Sequence, residues 1–129
     1  DHDKKFADIS LNNLKMHELD DVAQVIYAPI IETKINDRFY KWYDLKRVSD
    51  IKPIDMLIVD GPPADIQKLV RYPALPMLFN FLKNGSLIIL DDASREDEKA
   101  IIDLWVKEFG LEKVTLADTE RGMAILRKI

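Results

Sequence analysis

The stretch that decides the fold is IDMLIVDGPP, residues 54–63, and a second stretch of the same kind, SLIILDD, spans residues 86–92. Each contains an almost unbroken apolar run, which is typical of a strand covered on both faces in a parallel sheet. The first run ends at Asp60 and the second at Asp91 and Asp92. Two buried strands with a helical segment between them predict an α/β fold whose sheet is mainly parallel.

The segments around these strands predict the rest of a single domain covering residues 1–129. Apolar residues recurring every three or four positions predict helices, and clusters of β-branched residues predict strands. On these criteria we expect helices over residues 4–15, over residues 72–82, ended by Asn84-Gly85, and from a cap at Ser94 to Gly110. We expect a helical turn over residues 44–49 and a strand over residues 22–27. Two antiparallel strands are expected over residues 113–117 and 123–126, joined by residues 118–122. Residues 30–42 predict either a hairpin that turns at Asn36-Asp37 or an ordered loop.

The composition is that of an ordinary globular protein and limits the partners to expect. Of the 129 residues, 47% are hydrophobic and 33% are charged, and the net charge is −4 with lysine and arginine scattered along the chain. We therefore expect no nucleic-acid partner. We also expect a cytoplasmic protein without a membrane partner, because no apolar run approaches the roughly 18 residues of a bilayer span. The lack of cysteine excludes disulfides, thiolate zinc sites and a cysteine nucleophile.

Three carboxylates follow the two buried strands. If the strands are neighbours, Asp60, Asp91 and Asp92 converge at one edge of the sheet, where open α/β folds bind ligands. Carboxylates that lie close together repel one another, and a divalent cation such as Mg²⁺ or Ca²⁺ relieves that repulsion through oxygen ligands. The sequence is consistent either with a metal site at these residues or with aspartates that serve as turn and cap residues.

Other residues near that edge are candidates for binding a small molecule. Arg71 is expected either to face the carboxylates or to lie at the surface beside a half-buried Tyr72. Trp42 and Tyr43 predict either the lining of a substrate pocket or a cover over the end of the sheet. Pro62 stiffens the loop that follows the first buried strand.

The stretches IDMLIVDGPP (54–63), RYPALP (71–76) and LIILDDASR (87–95), together with Glu98 and Trp105, resemble the C-terminal half of class I S-adenosylmethionine-dependent methyltransferases. The most similar subgroup is the small-molecule methyltransferases related to catechol O-methyltransferase. The resemblance implies a Rossmann-like sheet of strand order 3-2-1-4-5-7-6 that ends in an antiparallel hairpin, with S-adenosylmethionine as cofactor.

The resemblance also assigns expected roles to individual residues. It implies a divalent metal held by aspartates at the ends of the fourth and fifth strands, which would orient a substrate hydroxyl and lower its pKa. The residues concerned are Asp60 (catalysis and metal), Asp91 and Asp92 (metal), Asp1 and Asp3 (cofactor ribose), Tyr27 and Ala28 (cofactor adenine), and Trp42, Tyr43, Pro62 and Arg71 (acceptor pocket).

The sequence departs from that family in its first part. It contains no Gly-x-Gly and only four glycines, so the glycine-rich cofactor loop and the first two strands have no counterpart, and a start at Asp1 is typical of a trimmed sequence. We expect either a methyltransferase fragment for a small-molecule acceptor, inactive by itself, or a non-catalytic interaction or scaffold module. The missing strands would leave strand edges exposed, which predicts local rearrangement or a homo-oligomer.

Overall fold

The computed structural model describes residues 1–117 and 119–129, so Asp118, the first residue of the predicted 118–122 connection, lies outside it. In chain order the elements are α1 (Lys4–Met16), β1 (Ile30–Ile35), β2 (Arg38–Tyr43), β3 (Ile54–Val59), α2 (Ala74–Leu78), β4 (Leu82–Asp91), α3 (Glu96–Phe109), β5 (Glu112–Ala117) and β6 (Met123–Arg127), with 3-10 turns at Leu45–Arg47 and Phe79–Phe81. Among the described helices, none is long and apolar enough to cross a membrane.

The strands form two sheets. β1 and β2 make an antiparallel hairpin, and the other four strands lie in the order β3-β4-β6-β5. β3 and β4 are parallel, whereas β6 runs antiparallel to both of its neighbours. The predicted α/β class and the antiparallel pair at the end are confirmed. The sheet is mixed rather than mainly parallel, because only one of its three neighbouring pairs is parallel.

The core lies between one face of the four-stranded sheet and α3. Alternating residues of β4 and β6 are fully buried, and the apolar stripe of α3 meets them, as its three-to-four-residue spacing predicts. These buried residues are Ile88, Leu90, Ala124 and Leu126 of the strands and Ile101, Ile102 and Trp105 of the helix. The helix ends at Gly110, whose φ of 64° gives the predicted left-handed cap.

Residues 30–42 form the hairpin rather than the ordered loop. Asn36 and Asp37 have φ values of 48° and 65°, the conformation that a two-residue hairpin turn requires. On β2, Tyr40 and Trp42 point into the buried core, and the hairpin therefore packs against the rest of the molecule. The side chain of Gln67 covers the outer edge of β2: its amide nitrogen donates to the Phe39 carbonyl (3.0 Å) and its oxygen accepts from the Lys41 amide (2.8 Å).

The predicted strand over residues 22–27 is wrong. These residues pair with no strand in the described part of the chain, and a strand needs a partner to satisfy its backbone groups. Their neighbour is Asp1, whose terminal ammonium donates to the Ile26 carbonyl (2.8 Å) and whose carbonyl accepts from the Ala28 amide (2.8 Å).

Two further boundaries differ from the prediction. The helix predicted over 72–82 is only α2 and the following 3-10 turn, because β4 already begins at Leu82 and Asn84-Gly85 lies within it. Gly85 has a φ of 85°, and β4 is irregular here: its pairing with β3 passes from Leu82 directly to Leu87. At α3, the N-cap position is Arg95 rather than the predicted Ser94, and the helix begins at Glu96.

Candidate functional site

Three carboxylates meet where β3 and β4 end. Asp60 directly follows β3, Asp91 is the last residue of β4, and Asp92 is the next residue. One oxygen of each lies within 4.8 Å of an oxygen of the other two. The strands are parallel neighbours, so their carboxyl ends reach the same edge, and the predicted convergence of these residues is confirmed.

A buried arginine ties the two strand ends together. The guanidinium of Arg71 donates to the carbonyls of Asp60 (3.1 Å), Pro62 (3.3 Å) and Asp91 (3.2 Å), and to the carboxylate of Asp92 (3.1 Å). Only 4% of its surface is exposed, so the surface alternative is wrong. The guanidinium nitrogens therefore already bind groups of the protein itself. Binding of a methyl-acceptor molecule by Arg71 stays a prediction.

Asp92 has an unusual backbone and an unusual charge environment. Its φ is 57°, a conformation that non-glycine residues rarely adopt outside functional or tightly constrained sites. Its Oδ2 contacts Arg71 and Arg95, each at 3.1 Å. Its Oδ1 is buried, accepts no hydrogen bond from the described residues and lies 4.0 Å from Arg121. One oxygen of Asp92 is therefore not engaged.

Glu98, whose place in this cluster was not predicted from the sequence, is its fourth buried or partly buried charged neighbour. Glu98 is 1% exposed and lies 3.6 Å from Arg71 and 4.0 Å from Arg95. Burial raises its pKa, although the two guanidinium groups act in the opposite direction. The signal was present: Glu98 stands three and seven residues before Ile101 and Trp105, on the apolar stripe of α3.

Asp60 is the most accessible member of the cluster, with 68% of its side chain exposed. Partial desolvation and then the neighbouring Asp91 carboxylate raise its pKa, and Arg71 does not cancel this effect. The donor set suits a hard divalent cation, since each of the three residues offers one carboxylate oxygen and these oxygens lie within 4.8 Å of one another. Metal binding itself stays a prediction.

A cleft of about 410 Å³ opens beside Asp60. Its lining comes from β3, from the end of β2, and from the segments around Asp1 and Ala28. The cleft thus brings together Asp1 and Ala28, expected near a cofactor, with Trp42, Tyr43 and Asp60, expected near an acceptor. The roles of these residues stay predictions.

Two of the expected cofactor residues, Asp3 and Tyr27, are not among the residues that line the cleft. Asp3 caps α1, where its carboxylate accepts from the amides of Lys5 (2.8 Å) and Phe6 (3.4 Å). The ring of Tyr27 lies 6.0 Å from the guanidinium of Arg47. The contacts of these two side chains give no support to a role in the cleft, and their roles stay predictions.

Aromatic side chains form the wall of the cleft that faces Asp60. Trp42 is 4% exposed, and its Nε1 is buried with no hydrogen-bond partner among the described residues. The Tyr43 hydroxyl lies directly against Gly61, where a Cβ would overlap it, and burial raises the pKa of Tyr43. Pro62 is fully buried. The indole donor of Trp42 is thus buried and unpaired among the described residues, and Tyr43 places a phenol beside the loop that follows Asp60.

The buried carboxyl of Glu98 makes stability depend on pH. Between the ordinary value near 4.5 and the raised pKa of the folded state, the unfolded chain releases this proton first, so stability falls as pH rises. Glu98→Gln should remove this contribution, whose slope is at most about 1.4 kcal/mol per pH unit. Urea unfolding from pH 4 upward measures it. Glu96→Gln, at an exposed site two residues earlier, is the control. Parallel profiles for Glu98→Gln and wild type would contradict the assignment.

A scan of the chain against protein-family models and a search of curated proteins give no match.

Proposed function

We propose that this chain carries the acceptor side of an S-adenosylmethionine-dependent methyltransferase, acting on an oxygen or nitrogen atom of a small molecule. The observation that carries the proposal is the cleft. Asp1 and Ala28, expected near the cofactor, line the same cleft as Trp42 and Tyr43, expected near the acceptor. Asp60, the expected catalytic residue, lines it as well. The site lies at the carboxyl ends of the strands, where open α/β sheets bind ligands.

The strand order supports the proposal. The order β3-β4-β6-β5, with β6 reversed, is the order 4-5-7-6 that the resemblance implies for the second half of a Rossmann-like methyltransferase sheet. In that correspondence Asp60 ends the fourth strand, and Asp91 and Asp92 end the fifth. The acids at these ends are the ones that the resemblance associates with a metal and with the acceptor.

Methyl transfer to a hydroxyl needs a group that accepts the hydroxyl proton. As an acceptor hydroxyl attacks the methyl carbon, the C–S bond to the donor breaks, S-adenosylhomocysteine leaves and the hydroxyl proton must be removed. Asp60 is exposed to the cleft, and its raised pKa makes it a better proton acceptor than an ordinary aspartate. A divalent cation held by Asp60, Asp91 and Asp92 would instead lower the pKa of the acceptor hydroxyl itself, and Asp60 would then serve as a ligand rather than as the proton acceptor. Trp42 and Tyr43 would orient the acceptor and limit its contact with water.

The donor side needs residues that this sequence does not contain. Its four glycines stand at Gly61, Gly85, Gly110 and Gly122, and no pair forms the Gly-x-Gly of a cofactor loop. The sequence therefore lacks the glycine-rich loop that would bind the methionine part of the donor. We expect the 129 residues by themselves to be inactive in methyl transfer.

Calorimetric titration tests the metal and the donor separately. We expect Mg²⁺ to bind the chain and Asp91→Asn to weaken that binding at least about tenfold, because a neutral amide replaces one of three charged ligands. Arg71 binds the backbone carbonyl of Asp91 and forms its buried ion pairs with Asp92 and Glu98, so the substitution leaves those pairs in place. Asp103→Asn, at an exposed carboxylate paired with Lys113, is the matched control and should bind Mg²⁺ as wild type does.

The donor arm uses S-adenosylmethionine and S-adenosylhomocysteine, with and without Mg²⁺. We expect no heat from these 129 residues, and binding by a form that also carries any residues encoded before Asp1. Absence of binding in both forms would overturn the methyltransferase proposal. Loss of Mg²⁺ binding alone would remove the metal and leave the donor arm to decide the transfer.

The second candidate is a non-catalytic interaction or scaffold module. The observation in its favour is that Arg71 and Arg95 already lie 3.1 Å from Asp92 and neutralise much of the acidic cluster without a metal. The missing donor loop is consistent with it as well. Binding of neither Mg²⁺ nor donor in any form would favour this function.

A further inference from the structure

The outer edge of β2 is a strand edge that one side chain covers. The Gln67 amide nitrogen donates to the Phe39 carbonyl at 3.0 Å, and its oxygen accepts from the Lys41 amide at 2.8 Å. A residue of a strand added parallel to β2 would make the same two bonds, because it would bond to the residues before and after its neighbour, Tyr40. Gln67 therefore takes the place of one residue of a neighbouring strand.

The rest of this edge is accessible to another strand. Within the described residues β2 pairs only with β1. Alternate residues of a paired strand face away from their partner, and the bonds to Gln67 show that Phe39 and Lys41 do so. Both bonds lie at the surface, where a main-chain amide of another chain can replace a side-chain amide at little net cost. A peptide strand can thus displace Gln67.

A pocket of about 250 Å³ lies beside the covered part of the edge. Phe39, one of its walls, is 60% exposed. None of the residues that line this pocket lines the cleft beside Asp60, so the two sites are separate. The lining residues of the pocket are Arg38, Phe39, Tyr40, Gln67, Lys68 and Leu69.

The charge of the pocket is positive. Arg38 and Lys68 line it, and among the described residues neither forms an ion pair. Two carboxylates are close by, but each has a contact of its own. Asp37 lies 3.7 Å from Lys34, and Asp97 accepts from the Leu69 amide at 3.0 Å. The chain carries a net charge of −4, so two unpaired cations at one strand edge favour an acidic partner at this place.

We infer that the outer edge of β2 binds an extended acidic segment of another protein, which adds to the hairpin as a strand and displaces Gln67. In strand addition, main-chain hydrogen bonds supply affinity and pockets for side chains supply specificity. Here the edge supplies the bonds of Phe39 and Lys41, and the pocket supplies Arg38 and Lys68 for an acidic side chain. The inference is independent of the proposed function, because it uses no residue of the cleft or of the carboxylate cluster.

Calorimetric titration with a synthetic peptide tests the inference. The probe is an acetylated and amidated peptide of roughly eight residues, the length of an ordinary strand, in which glutamate and threonine alternate. We expect wild type to bind it with a dissociation constant of about 100 μM or less. Gln67→Ala should tighten binding about threefold or more, because the peptide no longer competes with the side-chain amide. Replacing both Arg38 and Lys68 by glutamate should weaken binding about tenfold or more.

Three controls make the result specific to this edge. The same peptide with alternate backbone nitrogens methylated cannot donate its main-chain bonds, and a lysine–threonine peptide has the opposite charge, so neither should bind. Lys52→Glu reverses an exposed charge outside the edge and the pocket, and it should leave the affinity unchanged. Circular dichroism verifies that each variant is folded.

Several results would overturn the inference. Wild type that does not bind the glutamate peptide would do so, as would equal binding of the methylated or the lysine peptide. Gln67→Ala that binds no more tightly than wild type would show that the peptide does not replace this side chain. Lys52→Glu that weakens binding as much as the Arg38 and Lys68 replacements, or inorganic phosphate that displaces the peptide at an equal concentration, would show attraction by charge alone.

Discussion

Replacing Arg71 by methionine is expected to lower the free energy of unfolding by about 3–5 kcal/mol, the usual cost of removing one partner from a buried ion pair. The guanidinium is 4% exposed and donates to three carbonyls at the ends of β3 and β4 and to the Asp92 carboxylate. Without it those acceptors are unsatisfied, and Asp92 and Glu98 are left with Arg95 as the nearer cation. Urea unfolding at neutral pH measures the loss.

Two further variants make this result specific. Arg71→Lys retains the charge, but a single ammonium cannot reach four acceptors spread over two strand ends, so an intermediate loss is expected. Arg127→Met removes an exposed arginine paired with Glu112 at 3.2 Å, and surface pairs of this kind contribute at most about 1 kcal/mol. An Arg71→Met variant no less stable than Arg127→Met would show that Arg71 does not hold the strand ends.

Replacing Trp105 by alanine is expected to cost about 3–5 kcal/mol, as is usual for a large aromatic side chain in a core. Trp105 is 0% exposed, and its Nε1 donates to the carbonyl of Tyr72 at 3.0 Å. Truncation leaves both a cavity between α3 and the sheet and an unsatisfied carbonyl next to Arg71. Thermal and urea unfolding of the variant measure the combined effect.

Trp105→Phe separates the two contributions. It keeps most of the buried area and removes the hydrogen bond, so a loss of about 1–3 kcal/mol is expected. Leu104→Ala, at the neighbouring half-buried position on α3, gives a reference for a smaller truncation. Equal losses in Trp105→Ala and Leu104→Ala would contradict the central place of Trp105 in the core.

The elements predicted correctly are those whose signal is local. β3 is an almost unbroken apolar run, α3 has an apolar stripe and a left-handed glycine at its end, and the β5–β6 pair is joined too closely to be anything but antiparallel. Elements that depend on distant partners were predicted less well. Residues 22–27 have the composition of a strand but lack a neighbour to pair with, and β4 extends back across Gly85 because Leu82 pairs with Ile54.

Some residues of the candidate site were likewise predictable from the sequence and others were not. That Asp60, Asp91 and Asp92 converge follows from a general property of parallel strands once the two strands are neighbours, a condition that the structure supplies. The burial of Arg71 did not follow, because its acceptors are backbone carbonyls whose positions depend on the fold. Glu98 lies between these cases: its place on the apolar stripe of α3 was readable, but its arginine partners were not.

Gln67 couples the two walls of the cleft mechanically. Its side chain joins the loop over residues 60–73 to the outer edge of β2. That loop starts at Asp60, and β2 continues from the bonded residues to Trp42 and Tyr43. Two hydrogen bonds made outside the cleft therefore restrain the strand that carries Trp42 and Tyr43 relative to the loop that begins at Asp60, and Gln67, which makes them, is not among the residues that line the cleft.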